Sequence, residues 1–148
     1  MKIFYQGYFY QNEKLAMENA KTEYLKYFKI SENFIFYLHS VSNRESQDLN
    51  FHYFNKNVPA DVITVPLYKN IGEIDKLDKN ESEILGDLFL NRKLIKENAF
   101  KYKKTLVEEF QLVLIHGLLH LVGFSHKEED KLKNIENQIL NKVWINGE

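Results

Sequence analysis

The chain has 148 residues, 44% hydrophobic and 28% charged, with a formal net charge of −1. That is enough chain for the core of one domain over residues 1–148, and a balance so close to neutral excludes binding of nucleic acid by bulk charge; such a partner would need a local basic patch. The absence of cysteine excludes disulfides, iron–sulfur clusters and thiolate zinc sites, leaves histidine as the main transition-metal ligand, and fits a reducing compartment.

Residues 2–9 alternate loosely, are rich in aromatics and read as a strand. They lack the uninterrupted apolar run of a signal peptide, and no window approaches the roughly 18 apolar residues of a membrane span, so the expected protein is soluble, cytoplasmic and free of membrane partners. Residues 12–28 set Leu15, Ala16, Asn19, Thr22, Leu25 and Phe28 at helical spacing. Phe34 to His39 reads as a strand, Ser42 to Phe54 as a short helix with Leu49, His52 and Tyr53 inward, and Asp61 to Pro66 as a branched-residue strand after the break at Val58-Pro59-Ala60. Residues 69–82 are polar and read as an exposed connection. Ile84 to Leu90 is a strand, Asn91 caps a helix to about Tyr102, and Thr105 caps an apolar helix to Val122. The last helix, 127–143, starts on Glu128, Glu129 and Asp130, as the helix dipole favours, with Trp144 anchoring its end. The order of elements predicts an α+β domain: a small mixed sheet of about four strands packed with several helices.

Chemistry concentrates in the apolar helix and just beyond it. Three of the five histidines, His116, His120 and His126, fall within eleven residues. A spacing of four puts the first two imidazoles on one helix face. Gly123 can end the helix in a left-handed conformation and let His126 swing back beside them. A lone histidine on an apolar face is usually a hydrogen-bonded core residue; three with a glycine hinge are not explained that way, and imidazoles buried in such a helix need partners. Three neutral imidazoles with an open fourth position describe a catalytic zinc site, able to lower the pKa of a bound water to about 7. His39 and His52 lack ligand spacing. The metzincin proteases share the H-x3-H-x5-H skeleton, but their general base follows the first histidine, and here that position is Gly117. A methionine turn is absent too, since the methionines are Met1 and Met17.

The run His116-Gly117-Leu118-Leu119-His120-Leu121-Val122-Gly123-Phe124-Ser125-His126 resembles the signature of the YbeY family of metal-dependent endoribonucleases, roughly H-G-x-L-H-L-x-G-[YF]-D-H. Leu49-Asn50-Phe51-His52-Tyr53 with Pro59-Ala60-Asp61-Val62-Ile63-Thr64 is similar to that family's L-N-x-x-Y-R-x-x-x-x-P-T-D-V-L-S segment, and Leu85-Gly86-Asp87-Leu88 to its G-D-[IV] strand. The resemblance spans residues 49 to 126, in the family's order. It implies one zinc ion on His116, His120 and His126, single-stranded RNA as substrate, and a cytoplasmic role in ribosomal RNA maturation and ribosome quality control beside the small subunit or its assembly proteins.

Two positions depart from the pattern. Ser125 stands where the family has aspartate, and Phe54 where it has the arginine placed to grip phosphate. Phenylalanine cannot bind phosphate but can stack on a base, and Lys56 can restore the charge. With no separate base identified, the catalytic group expected is the water held by the three histidines, with Asp87 either a partner of a ligand or a solvated strand end. Lys101, Lys103 and Lys104 around Tyr102 read as a solvated face or an RNA contact, and Arg44 and Arg92 are the two arginines. The functions that fit are a zinc-dependent endoribonuclease, a non-catalytic ribosome-assembly factor with a structural zinc, and a zinc peptidase lacking the usual glutamate.

Overall fold

The computed structural model describes residues 1–146. The N-terminal aromatic segment forms β1 (Lys2–Gln6), which stops short of residue 9 because Gly7 turns the chain at φ 87°. There follow α1 (Gln11–Phe28), β2 (Ile35–Val41), α2 (Asn43–Phe54), β3 (Val62–Pro66), α3 (Ile71–Asp75), β4 (Ile84–Asn91), α4 (Arg92–Lys101), α5 (Leu106–Leu121), a 3-10 turn (His126–Glu128) and α6 (Glu129–Asn146). The strands form one sheet in the order β1-β2-β4-β3; the first three run parallel, and β3 lies antiparallel to β4 on an edge. Pro66 is tolerated there because it ends an edge strand. This is the α+β architecture with a mixed four-stranded sheet that the order of elements predicts.

The two faces of the sheet differ by the strand period of two. Phe36 and Leu38 of β2 and Leu88 and Leu90 of β4 are buried. Their neighbours Tyr37, His39, Asp87 and Phe89 point the other way and are partly open. Helix α5 lies on the buried face at the centre of the molecule, against β3, β4, α1, α4 and α6. It is apolar nearly all round, as a helix enclosed on every side must be. Polar side chains that reach it hydrogen-bond across its interfaces. The Tyr24 hydroxyl donates to the Leu118 carbonyl at 2.8 Å, Gln111 Nε2 to the Ala16 carbonyl at 3.0 Å, and Trp144 Nε1 to Gln111 Oε1 at 3.1 Å. Trp144 thus anchors α6 on α5. Thr105 and Asn91 cap their helices, Thr105 within a full capping box.

Three readings of the sequence need correction. Helix α1 is rolled away from its expected stripe: Leu15 is 62% exposed, while Ala16, Met17, Ala20 and Tyr24 are buried with Glu13 and Glu23. The roll follows from the polar anchors, because Glu13 pairs with Arg92 and Tyr24 bonds α5. In α2, His52 and Tyr53 are exposed, and Ser46 and Asn50 point inward. Ser46 Oγ accepts from the Ala60 N–H and from Asn91 Nδ2, and Asn50 Nδ2 donates to the Val58 carbonyl, so the buried side of α2 holds the following loop by hydrogen bonds. The connection at 69–82 contains α3, capped by Asn70, whose Oδ1 accepts from the Glu73 N–H; Ile74 is buried.

Candidate metal centre

His116 and His120 lie on the C-terminal half of α5, one turn apart, with their Nε2 atoms 3.1 Å from each other. The helix ends as the glycine spacing predicts. Gly123, at φ 103°, donates to the His120 carbonyl, and Phe124 N–H donates to the Leu119 carbonyl, the two bonds of a Schellman ending. The turn is also wedged from outside. A Cβ on Gly123 would lie 2.4 Å from the Lys69 carbonyl and 2.8 Å from Asn70 Cα, so the segment before α3 packs directly on it. The chain then returns His126 to the cluster, its ring centroid 4.8 Å from that of His120 and 6.3 Å from that of His116.

Every Nδ1 in the cluster faces an oxygen. His116 Nδ1 is 2.8 Å from Glu136 Oε2, His120 Nδ1 is 2.6 Å from the Phe124 carbonyl, and His126 Nδ1 is 3.4 Å from Glu129 Oε2. A carbonyl only accepts, and so does an ionised carboxylate, so these partners assign the ring proton to Nδ1 and leave the Nε2 lone pairs bare. Two bare lone pairs 3.1 Å apart repel unless a cation lies between them. Burial, followed by the proximity of His116, pushes the His120 pKa below its ordinary value, which favours the neutral, ligating form. Two nitrogens on one tetrahedral zinc lie about 3.3 Å apart for bonds of about 2.05 Å. The donor set and the His116–His120 spacing fit zinc. His126 is the more distant ring, its side chain 71% exposed, and among the described residues no group of three or more His, Cys, Asp or Glu is placed to hold a metal ion.

The rings open onto a cleft of about 520 Å³. It is lined by Asp61 and the edge strand β3 at Val62 to Thr64 with Pro66, by the turn from Gly123 to His126, and by Phe54, Lys56 and Lys69. The two lysines are the cations lining it, and Asp61 is the carboxylate, with Oδ1 accepting from the Val62 N–H at 2.8 Å. Gly117 faces away from the cleft and into the sheet. A Cβ there would sit 2.8 Å from Leu88 Cδ2 and 3.0 Å from Val62 Cγ2, and its carbonyl accepts from Thr64 Oγ1 at 3.1 Å.

Ser125, Phe54 and Lys56 therefore line the cleft, and several other candidates do not. Asp87 lies on the opposite face of the sheet and bonds His39 Nε2 at 2.8 Å. It is neither a partner of a ligand nor a lone strand-end group. The Lys101 and Lys104 ammonium groups sit over the Tyr102 and Trp144 rings at the α4–α5 junction. Arg44 pairs with Asp48, and Arg92 with Glu13. Glu136 is the functional candidate that sequence reasoning missed. It is buried on the apolar stripe Leu132, Ile135, Ile139 and Val143 of α6, and a glutamate on such a stripe is the signal that could have revealed it.

The family model described as Endoribonuclease YbeY matches residues 9–143. A Prochlorococcus marinus (strain MIT 9215) protein named Endoribonuclease YbeY is 30% identical over 135 residues, 91% of this chain and 73% of the relative. Proteins of the same name from Mycoplasmoides gallisepticum and from Buchnera aphidicola of Acyrthosiphon pisum are each 36% identical. The first match covers 79% of this chain and 70% of the relative, the second 68% and 62%. A Thermotoga maritima protein solved in solution superposes with a TM-score of 0.60 at 25% identity, covering 97% of this chain and 89% of that one.

Proposed function

The chain belongs to the YbeY endoribonuclease family, an assignment that makes it an RNA endonuclease, and from that premise we propose that it is a zinc-dependent enzyme cutting single-stranded RNA in the maturation of ribosomal RNA and the quality control of ribosomes. We place it in the cytoplasm, beside the small ribosomal subunit or its assembly proteins. The observation that carries the metal half of this reading is the pair of Nε2 lone pairs 3.1 Å apart, each ring already committed to an oxygen through Nδ1. Among the described residues no single helix is long and apolar enough to cross a membrane.

His116, His120 and His126 would hold the ion, with Glu136, the Phe124 carbonyl and Glu129 orienting them through Nδ1. Bound there, zinc supplies Lewis acidity toward a phosphoryl oxygen and lowers the pKa of a water. Lys56 and Lys69, both lining the cleft, draw the backbone phosphate into it. No glutamate follows the first histidine, and Gly117 has no path to the cleft for one. A peptide carbonyl has no nucleophile of its own, whereas RNA carries its 2′-hydroxyl beside the scissile phosphate, so RNA is the better matched substrate. One observation favours the non-catalytic assembly factor: among the described residues no arginine lines the cleft.

The deciding experiment incubates unstructured RNA and an unfolded protein in parallel with wild type and His116→Ala, after zinc analysis of both proteins. Zinc-dependent RNA cleavage lost in the variant supports the nuclease. A filled zinc site with no cleavage of either substrate supports the assembly factor, and proteolysis lost with His116 supports the peptidase.

A further inference from the structure

The last turn of α2 carries four consecutive aromatic residues, Phe51-His52-Tyr53-Phe54, and all four are exposed. Phe51 is 54%, Tyr53 46% and Phe54 50% open to solvent, with Val58 beyond them at 56%. A helix end normally turns such residues toward a core; here Ser46 and Asn50 occupy the inward side and the rings are left outside. Three of the rings are connected: His52 meets Tyr53 edge-on at 4.7 Å, and Tyr53 meets Phe54 at 6.4 Å. Their support is rigid. Asn55 closes the helix in the left-handed region at φ 57°, Lys56 N–H donates to the Asn50 carbonyl, and the Asn50 side chain ties down the loop at Val58.

We infer that this aromatic turn is a base-stacking platform for unpaired nucleotides flanking the phosphate in the histidine cleft, with Phe54 as the ring nearest the reaction. The inference rests on the nuclease reading and adds to it how this chain selects RNA. Phe54 belongs both to the platform and to the cleft lining, so the aromatic surface is continuous with the site. Lys56 lies two residues on, and Lys69 stands on the cleft as well, which sets phosphate contacts beside base contacts. Flat rings next to lysines are how single strands are held without sequence preference, because every base offers a π-face. A duplex keeps its bases stacked inside and cannot use the platform.

The test uses wild-type protein and a ten-nucleotide 2′-O-methyl RNA, which lacks the internal nucleophile, carrying 2-aminopurine at successive positions. Binding should quench the fluorophore at one or two adjacent positions. Phe54→Leu, which keeps an apolar side chain of similar bulk, should weaken binding about 10-fold and remove the quench, and Phe51→Leu should do so more weakly. Lys56→Gln should instead reduce the dependence of binding on salt by about 0.7 in logarithmic slope and leave the quench in place. Both rings are exposed, so circular dichroism of the variants should match wild type. Wild-type affinity and quench in Phe54→Leu and Phe51→Leu, with RNA still cleaved, would overturn the platform and leave the nuclease standing. Failure of wild type to bind or cut any RNA would overturn the nuclease reading, and the platform with it. Concentration-dependent dimerisation abolished by Phe51→Leu, with RNA binding untouched, would give the surface to a second copy of the chain.

Discussion

Glu136 Oε2 lies 2.8 Å from His116 Nδ1, and Glu136 is 2% exposed. A carboxylate that deep in the core is costly unless paired, and the imidazole N–H is the partner provided. The pairing holds the ring in one tautomer and raises the basicity of Nε2. Glu136→Gln keeps an acceptor of the same shape but removes the charge. It should weaken zinc binding about 10- to 100-fold, read by competition with a chromogenic chelator, while the far-ultraviolet spectrum is unchanged. Wild-type zinc affinity in this variant would show that Glu136 serves packing alone.

A second prediction concerns the turn. Gly123 combines φ 103° with a Cβ position 2.4 Å from the Lys69 carbonyl, so alanine meets both backbone strain and a backbone atom that cannot step aside cheaply. Gly123→Ala should lower the unfolding free energy by about 2 kcal/mol or more in urea titrations. It should also reduce zinc affinity beyond what stability alone explains, because His126 is positioned through this turn. Stability and zinc affinity within error of wild type would mean the chain can re-form the turn with a side chain present.

What was legible in the sequence was local. The i, i+4 histidines, the Gly123 ending, the Thr105 and Asn91 caps and the four strands all depend on neighbours within a few residues, and the structure has them. What was not legible depends on partners far along the chain. The roll of α1 is set by Arg92, 79 residues from Glu13. Glu136 meets His116 across 20 residues and two elements. Asp87 could be placed on β4 but not on a face, since a strand puts alternate residues on opposite sides and the sheet order decides which side holds the site. The short α3 escaped because five residues are too few to show a helical period, and it is held by the Asn70 cap and the burial of Ile74 on its neighbours.

The peptidase reading can be tested by restoring its missing group. Gly117 packs against Leu88 and Val62, with a Cβ only 2.8 Å from Leu88 Cδ2. Gly117→Glu would drive a carboxylate into the apolar contact between α5 and the sheet instead of into the cleft. The variant should be strongly destabilised or insoluble, and any folded fraction should show no peptidase activity on an unfolded protein substrate. Gly117→Ala should fold with a lower melting temperature, because side-chain atoms of Leu88 and Val62 must shift. A stable Gly117→Glu protein with new proteolysis would show that this position reaches the metal after all.

Glu109 supplies a prediction with a pH signature. It is buried on α5, and that burial pushes its carboxyl above the ordinary value of 4.5, opposed in part by Lys104. Ionising it therefore costs the folded state more than the unfolded one. The cost is absent well below pH 4.5, where both states are protonated, and grows as pH rises through the folded-state pKa. Glu109→Gln removes the charge while keeping the shape. It should melt higher than wild type at pH 7.5, with the difference shrinking toward zero as the pH is lowered to about 4. Thermal melts across that range decide the matter: a variant less stable than wild type at neutral pH would mean that Lys104 outweighs burial and that the ionised Glu109 holds the start of α5 in place.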